Sequence, residues 1–200
     1  MKKVKIAVLV SGGGSNLQAI IDYAKEGNIP HGELSLVISS TKDAYALVRA
    51  TMAGIPTRVV SRRDDPDNFE EKILAAIEEY KIDMIVLAGF MSILSEDFIK
   101  KYPERIINVH PSLIPAFCGK GFYGLRVHEA ALEYGVKVTG ATVHFVNEIP
   151  DGGEIILQKS VKIRKGDTPE LLQRRVMEQA EWKILPRAVE LVSKELAKKA

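Results

Sequence analysis

Ile6-Ala7-Val8-Leu9-Val10-Ser11-Gly12-Gly13-Gly14-Ser15-Asn16-Leu17-Gln18-Ala19-Ile20-Ile21 decides the fold. The run from Ile6 to Val10 is apolar at every position, as in a strand buried on both faces of a parallel sheet. Leu17, Ile20, Ile21 and Ala24 then recur at i, i+3, i+4 and i+7, the stripe of an amphipathic helix, with Ser15 as its expected cap. A glycine-rich turn joins the two. Strand, glycine turn and helix in that order open a doubly wound α/β domain. The flank Met1-Lys2-Lys3-Val4-Lys5 imitates a secretory leader, but the apolar run is too short to span a membrane and three glycines follow it.

The same grammar continues outward. Further strands are expected at Leu34–Ser39, Thr57–Val60, Met84–Leu87 and Arg105–Val109. Helices are expected over Ala44 to Ala53, over the stripe Phe69, Ile73, Ile77 and Tyr80, and over Ser95 to Lys101. Asp67 and Glu70 stand in capping-box spacing ahead of the second of these. After residue 110 the pattern changes. A Pro/Gly-rich loop runs from Pro111 to about Gly124, and a helix spans about Val127 to Tyr134. Two strand-like runs follow, Lys137–Val146 and Glu154–Ile163, joined as a hairpin through Pro150-Asp151-Gly152-Gly153. Thr168-Pro169 opens a long final helix that Pro186 should kink or restart. The expected architecture is one α/β domain over residues 1–200: a doubly wound, mostly parallel sheet with a Rossmann-like N-terminal half, a C-terminal hairpin excursion and a long helix.

Composition narrows the function classes. Lys plus Arg is 28 and Asp plus Glu is 26, a net charge of +2, too balanced for nucleic acid as the main partner. Cys118 is the single cysteine, so no internal disulfide forms and the cytoplasm is the default compartment. No membrane partner is expected, and the oligomer is a monomer or a homodimer.

In doubly wound folds ligands sit beyond the carboxyl ends of the strands. At the first such end, Ser11 to Asn16 offers backbone N–H groups and a helix N-terminus, a setting for an anion. A tight strand-to-helix turn without ligand has the same look. The dinucleotide fingerprint fails because Leu17 replaces its third glycine, and no Walker lysine follows. A single phosphate monoester is the better guest.

At the fifth strand end, Ile106-Ile107-Asn108-Val109-His110-Pro111-Ser112-Leu113-Ile114-Pro115 places Asn108 and His110 two apart, on one face of a strand. An amide donor beside a titratable imidazole suits acyl transfer through an oxyanion. Asp151 could sit against His110 and favour its imidazolium form, although Asp-Gly-Gly is also an ordinary turn.

Together these stretches resemble the folate-dependent formyltransferase family that acts on glycinamide ribonucleotide in purine (IMP) synthesis. The resemblance spans nearly the whole chain. It rests on Val10 to Ile20, on Leu87-Ala88-Gly89-Phe90-Met91 with Ile93-Leu94, on Asn108 to Pro115, on Thr139 to Val146, and on Asp151-Gly152-Gly153 through Ile155-Ile156-Leu157-Gln158. It implies 10-formyltetrahydrofolate as the formyl donor, small-molecule substrates and no metal. It implies a catalytic trio of Asn108, His110 and Asp151, with protonated His110 stabilising the oxyanion. It further implies nucleotide contacts from Gly13, Gly14, Ser15, Asn16 and Glu181. The folate pocket would be lined by Ala88, Gly89, Phe90, Met91, Ser92, Ile93 and Leu94, and by Asn147, Glu148, Ile149 and Pro150. Residues 1–110 would form the phosphate-binding half and residues 111–200 the folate-binding and catalytic half. His144 would support the site without reacting.

The chain departs from the family in places. Ser92 stands where a basic residue is usual, and no basic residue occupies the position near Pro66, although Arg62 and Arg63 are close. Trp182 replaces the usual histidine beside Glu181. The loop Ala116 to Gly124 is long, and reads either as a lid or as a surface insertion. His128 is given no chemical step, and Cys118 is incidental. Three rival readings remain: a hydrolase of 10-formyltetrahydrofolate, a transferase acting on initiator tRNA, and a nucleotide-binding module without catalysis.

Overall fold

A computed structural model describes residues 2–199. Seven strands form one sheet in the order β3-β2-β1-β4-β5-β6-β7. They are β1 (Val4–Val10), β2 (Gly32–Ser39), β3 (Thr57–Val59), β4 (Met84–Leu87), β5 (Ile106–His110), β6 (Val138–Phe145) and β7 (Ile155–Lys162). Strands β1 to β5 are parallel, and β6 and β7 close the sheet as an antiparallel hairpin. The strand order reverses between β1 and β4. The loops leaving these two strands therefore part to opposite sides and open the crevice that such folds use for ligands.

The apolar runs are continuous because both faces are covered. In β1, Val4, Ile6, Val8 and Val10 point to one layer and Ala7 and Leu9 to the other. The first layer is built by α1 (Ser15–Lys25), α2 (Tyr45–Met52), α6 (Pro169–Val176) and α7 (Trp182–Lys199). The second is built by α3 (Phe69–Tyr80) and α4 (Glu96–Lys100). The remaining helix is α5 (Leu125–Tyr134). Phe69, Ile73, Leu17 and Ile20 are among the fully buried side chains, each contributing roughly 1.5–3 kcal/mol by removal from water.

Two expected caps are replaced. Gly14, not Ser15, caps α1: its φ of 70° is the left-handed conformation that a residue without Cβ adopts freely. The Asp67/Glu70 capping box does not form. Asn68 is the cap residue of α3, and the Glu70 carboxylate instead accepts from the Ser95 N–H at 2.7 Å and from its hydroxyl. That ties α3 to Ser95, which caps α4 by accepting from the Phe98 N–H at 3.2 Å. Thr168 caps α6 as the sequence suggests, accepting from Leu171 N–H at 3.3 Å with Pro at the first turn.

Between α6 and α7 the helix widens into a π-helical turn, Met177–Glu181. Pro186 lies inside the first turns of α7 and lacks the N–H that the Trp182 carbonyl would accept. The restart expected at Pro186 thus begins upstream of it. The widened turn also rotates Ala180 and Glu181 inward, where both are buried.

Gly14 is held by more than its φ. A Cβ there would lie 2.6 Å from Ala46 Cβ and 2.7 Å from Ala46 Cα. Gly14→Ala is therefore expected to push α2 from the loop, costing about 1–3 kcal/mol of stability and raising KM for a phosphorylated substrate. Thermal unfolding and KM measured together check this; an unchanged KM would contradict it.

Candidate active site

The sheet brings the polar residues of β5 and β6 together by register. Asn108 pairs with His144 and His110 with Thr142 across the antiparallel ladder. Directly opposed residues share a face, so the amide and both imidazoles point to the same side. Asn108 Nδ2 donates to His144 Nε2 at 3.3 Å. His144 Nδ1 in turn donates to the Phe145 carbonyl at 2.7 Å, which orients the ring.

Asp151 reaches this face from the β6–β7 loop. Its φ of 56° is left-handed, a strained choice for a residue with a Cβ. The loop is pressed against the end of β6: a Cβ on Gly153 would stand 1.7 Å from the Phe145 carbonyl oxygen. The result places Asp151 Oδ2 3.5 Å from His110 Nδ1 and Oδ1 3.6 Å from His144 Nε2. Amide, imidazole and carboxylate thus meet as the sequence suggested, and the second imidazole, His144, joins them. Its partnership with Asn108 became visible only once the β5–β6 register was known.

The long loop closes over this cluster instead of standing away as a surface insertion. His110 Nε2 donates to the Phe117 carbonyl at 2.8 Å, and Gly119 N–H donates to Asp151 Oδ2 at 2.8 Å. The Phe117 ring packs edge-on against Phe122 and Tyr134. Beneath the loop, Thr142 donates to the Ser112 carbonyl at 2.7 Å and accepts from Ile114 N–H at 3.1 Å. The Cys118 thiol donates to the Pro115 carbonyl at 3.3 Å. Burial and the Asp151 charge push that thiol up, away from nucleophilic use.

Burial pulls the His110 pKa below its ordinary value, and Asp151 and the Phe117 carbonyl only partly oppose it. The resting imidazole is therefore neutral near pH 7, although the adjacent carboxylate favours its charged form. Burial alone would raise Asp151, but the His144 and His110 rings and the Gly119 N–H outweigh it and hold the carboxyl below the usual carboxylate range. The proton-accepting ring and the anion that would stabilise its charged form thus stand side by side.

His128, on α5, is 0% exposed, and neither ring nitrogen has a hydrogen-bond partner among the described residues. Burial, helped by the proximity of His110, brings its pKa down to about 4. The unfolded chain binds this proton near pH 6.5 and the folded chain does not, so the stability this neutral ring permits is lost as pH falls from about 6.5 towards 4. Between pH 7 and pH 5 the loss is about 2 kcal/mol. His128→Leu is expected to remove that part of the acid sensitivity. Urea unfolding of both proteins at the two pH values checks it; an equal decline in both would contradict it.

At the first strand end, Asn16 Nδ2 donates to Glu181 Oε2 at 2.7 Å across 165 residues of sequence. Burial raises the Glu181 carboxyl, and the Asn16 bond only partly opposes this. Among the described residues, Asn16 Oδ1 and Trp182 Nε1 are buried without partners. Across the crevice, Met91 N–H donates to Ser11 Oγ at 2.9 Å, linking segment 88–94 to the glycine loop. Met91, Ile93 and Ile149 are exposed apolar side chains on the rim, and Phe90 stacks on Phe69 at 6.3 Å. Arg62, close to the position lacking a basic residue, donates to the Ile93 carbonyl at 3.3 Å and lies over Phe69. Among the described residues no group of His, Cys, Asp and Glu side chains is arranged to hold a metal, and no helix is long and apolar enough to cross a membrane.

A doubly wound sheet with an amide–imidazole–carboxylate cluster at its carboxyl edge is an architecture for acyl transfer. Residues 4–189 match the family described as Formyl transferase, and the chain belongs to that family. Within it the chain is 44% identical over 184 residues to the phosphoribosylglycinamide formyltransferase of Haemophilus influenzae, covering 91% of this chain and 84% of that one. It is 46% identical over 194 residues to the human trifunctional purine biosynthetic protein adenosine-3, covering 96% of this chain but only 18% of the length of that relative. The solved structure of glycinamide ribonucleotide transformylase 1 from Symbiobacterium toebii superposes with a TM-score of 0.89 at 41% identity, covering 96% of this chain and 89% of that one.

Proposed function

We propose that the chain is a cytoplasmic enzyme of purine biosynthesis that transfers the formyl group of 10-formyltetrahydrofolate to the amine of glycinamide ribonucleotide. The observation that carries this reading is the convergence of Asn108 and His110, from the end of one strand, with Asp151 from a distant loop. Binding alone needs no such trio.

The two substrates enter from either side of the crevice. The nucleotide phosphate lies on the N–H groups of Gly13 to Asn16, with its ribose towards Glu181. The pterin lies against Ala88 to Leu94 and Asn147 to Pro150, where Met91, Ile93 and Ile149 offer apolar contact. The work is thus shared between residues 1–110 and 111–200, and both reacting groups meet at the end of β5.

The amine nitrogen attacks the formyl carbon, and the carbonyl oxygen takes the negative charge. Asn108 gives one amide hydrogen to His144, and the other is free to donate to that oxygen. The proton released by the attacking nitrogen is held at His110 Nδ1. In the neutral ring Nε2–H is committed to the Phe117 carbonyl, so the lone pair sits on Nδ1, facing Asp151. Protonation there sets a cation against an anion. The adduct then collapses, the bond from carbon to N10 breaks, and the proton passes to N10.

The test is a transfer assay with purified protein and both substrates. The expected result is formylated nucleotide formed only when the amine is present. Formyl loss without the amine would replace this reading with a hydrolase, and binding without turnover with a nucleotide-binding module.

A further inference from the structure

Above α1, the carbonyls of the glycine loop are all occupied on one side. The Ser11 carbonyl accepts from Thr41 Oγ1 at 2.9 Å, Gly12 from Ala46 N–H at 3.1 Å, Gly13 from Arg49 Nε at 2.8 Å and Gly14 from Gln18 N–H at 2.9 Å. Among the described residues, the N–H groups of Gly13, Gly14, Ser15 and Asn16 donate to no protein acceptor. A peptide plane whose carbonyl is fixed on one side presents the N–H of the next residue on the other, so these contacts orient the donors of Gly13, Gly14 and Ser15.

Arg49 is the only charged partner in that set. It lies over the Tyr45 ring at 4.9 Å and donates from a second nitrogen to Gln18 Oε1 at 3.0 Å. Among the described residues no carboxylate pairs with it. A half-buried guanidinium on an exposed helix ordinarily finds an acid. Here its charge is left for something else. It borders, with Ser15, an open cavity of about 900 Å³ that begins at the loop and is lined further off by the acids Asp22, Glu26 and Glu178 and by Lys159, Lys183 and Arg187.

We propose that Arg49 is the positioning residue of the phosphate loop and the source of its positive charge. It thereby sets the preference for a phosphorylated over a dephosphorylated acceptor. The inference rests on the proposed binding of a nucleotide phosphate at Gly13 to Asn16. Through the Gly13 carbonyl Arg49 holds the Gly14 N–H in place, and its charge, unpaired among the described residues, attracts a dianion over several ångströms.

The experiment compares wild type, Arg49→Met and Arg49→Lys on glycinamide ribonucleotide and on the riboside that lacks the phosphate. Loss of a charge-assisted contact is expected to raise KM for the nucleotide about 10- to 100-fold in Arg49→Met. The kcat, the KM for the folate and the kcat/KM for the riboside stay unchanged. Arg49→Lys restores part of the loss, because it keeps the charge and loses the planar fork. Equal losses on nucleotide and riboside, or no loss on either, would overturn the proposal. Inorganic phosphate titrated into each protein, followed by the amide shifts of Gly13 and Gly14, provides an arm independent of catalysis. Wild-type protein that binds phosphate more tightly than Arg49→Met supports the role of Arg49 even if no transfer is seen. Equal phosphate binding alongside normal transfer defeats the role of Arg49 and leaves the enzyme reading intact.

Discussion

Asp151→Asn is expected to lower kcat about 10²- to 10⁴-fold, the range spanned by loss of a positioned acid–base group. The carboxylate stands between two imidazoles, 3.5 Å from one and 3.6 Å from the other. Asn keeps the shape and can still accept the Gly119 N–H, so the loop and the fold persist. What disappears is the negative charge that makes a proton on His110 tolerable inside a buried pocket. The KM for the nucleotide should hold, since the phosphate loop lies on another strand end. Steady-state kinetics with both substrates check this. A variant with near-normal kcat would show that the carboxylate is a turn residue and nothing more.

His110→Ala should produce a loss of the same order, for a related reason. His110 is 4% exposed, and its two nitrogens face a carbonyl and a carboxylate. Removing the ring deletes the proton acceptor and leaves the Phe117 carbonyl without its donor. A stability cost of about 1–3 kcal/mol is expected beside the kinetic one. His110→Asn separates the two effects, because an amide can restore the bond to Phe117 without accepting a proton. Recovery of stability without recovery of turnover is the expected outcome. Turnover returning together with stability would make His110 structural.

Much of this was readable in the linear sequence, and the reasons are physical. Continuous apolar runs such as Met84–Leu87 have only one home, a sheet covered on both faces, and that strand is found at the expected residues. Thr168-Pro169 opens its helix as expected because a Thr cap and a first-turn proline act within one turn of chain. The two caps that failed did so for different reasons, a distant partner in one and backbone conformation in the other. Glu70 had a nearer geometry with Ser95 than with its own helix end, and Gly14 took a conformation that Ser15 could not.

For the site, Asn108 and His110 were visible through period-two spacing on one strand. The roles of His144, the Phe117 carbonyl and the Gly119 N–H depend on register and loop path, which no local pattern encodes. The charge state of His110 needed burial as well as neighbours. The adjacent carboxylate favours the imidazolium and left the resting state open in the sequence, and the depth of the pocket decides it for the neutral ring. Arg49 gave no motif at all. Its meaning appears only when the loop carbonyl it binds is seen.

The central claim is that His110 and Asp151 act as one unit on one carbon. A double-mutant cycle measures this directly, with kcat for wild type, His110→Ala, Asp151→Asn and the double variant. If the pair is a unit, the double variant is about as slow as the slower single one, because the second change removes nothing still in use. If the two losses multiply, the residues work independently, and the proton-holding pair described above does not exist.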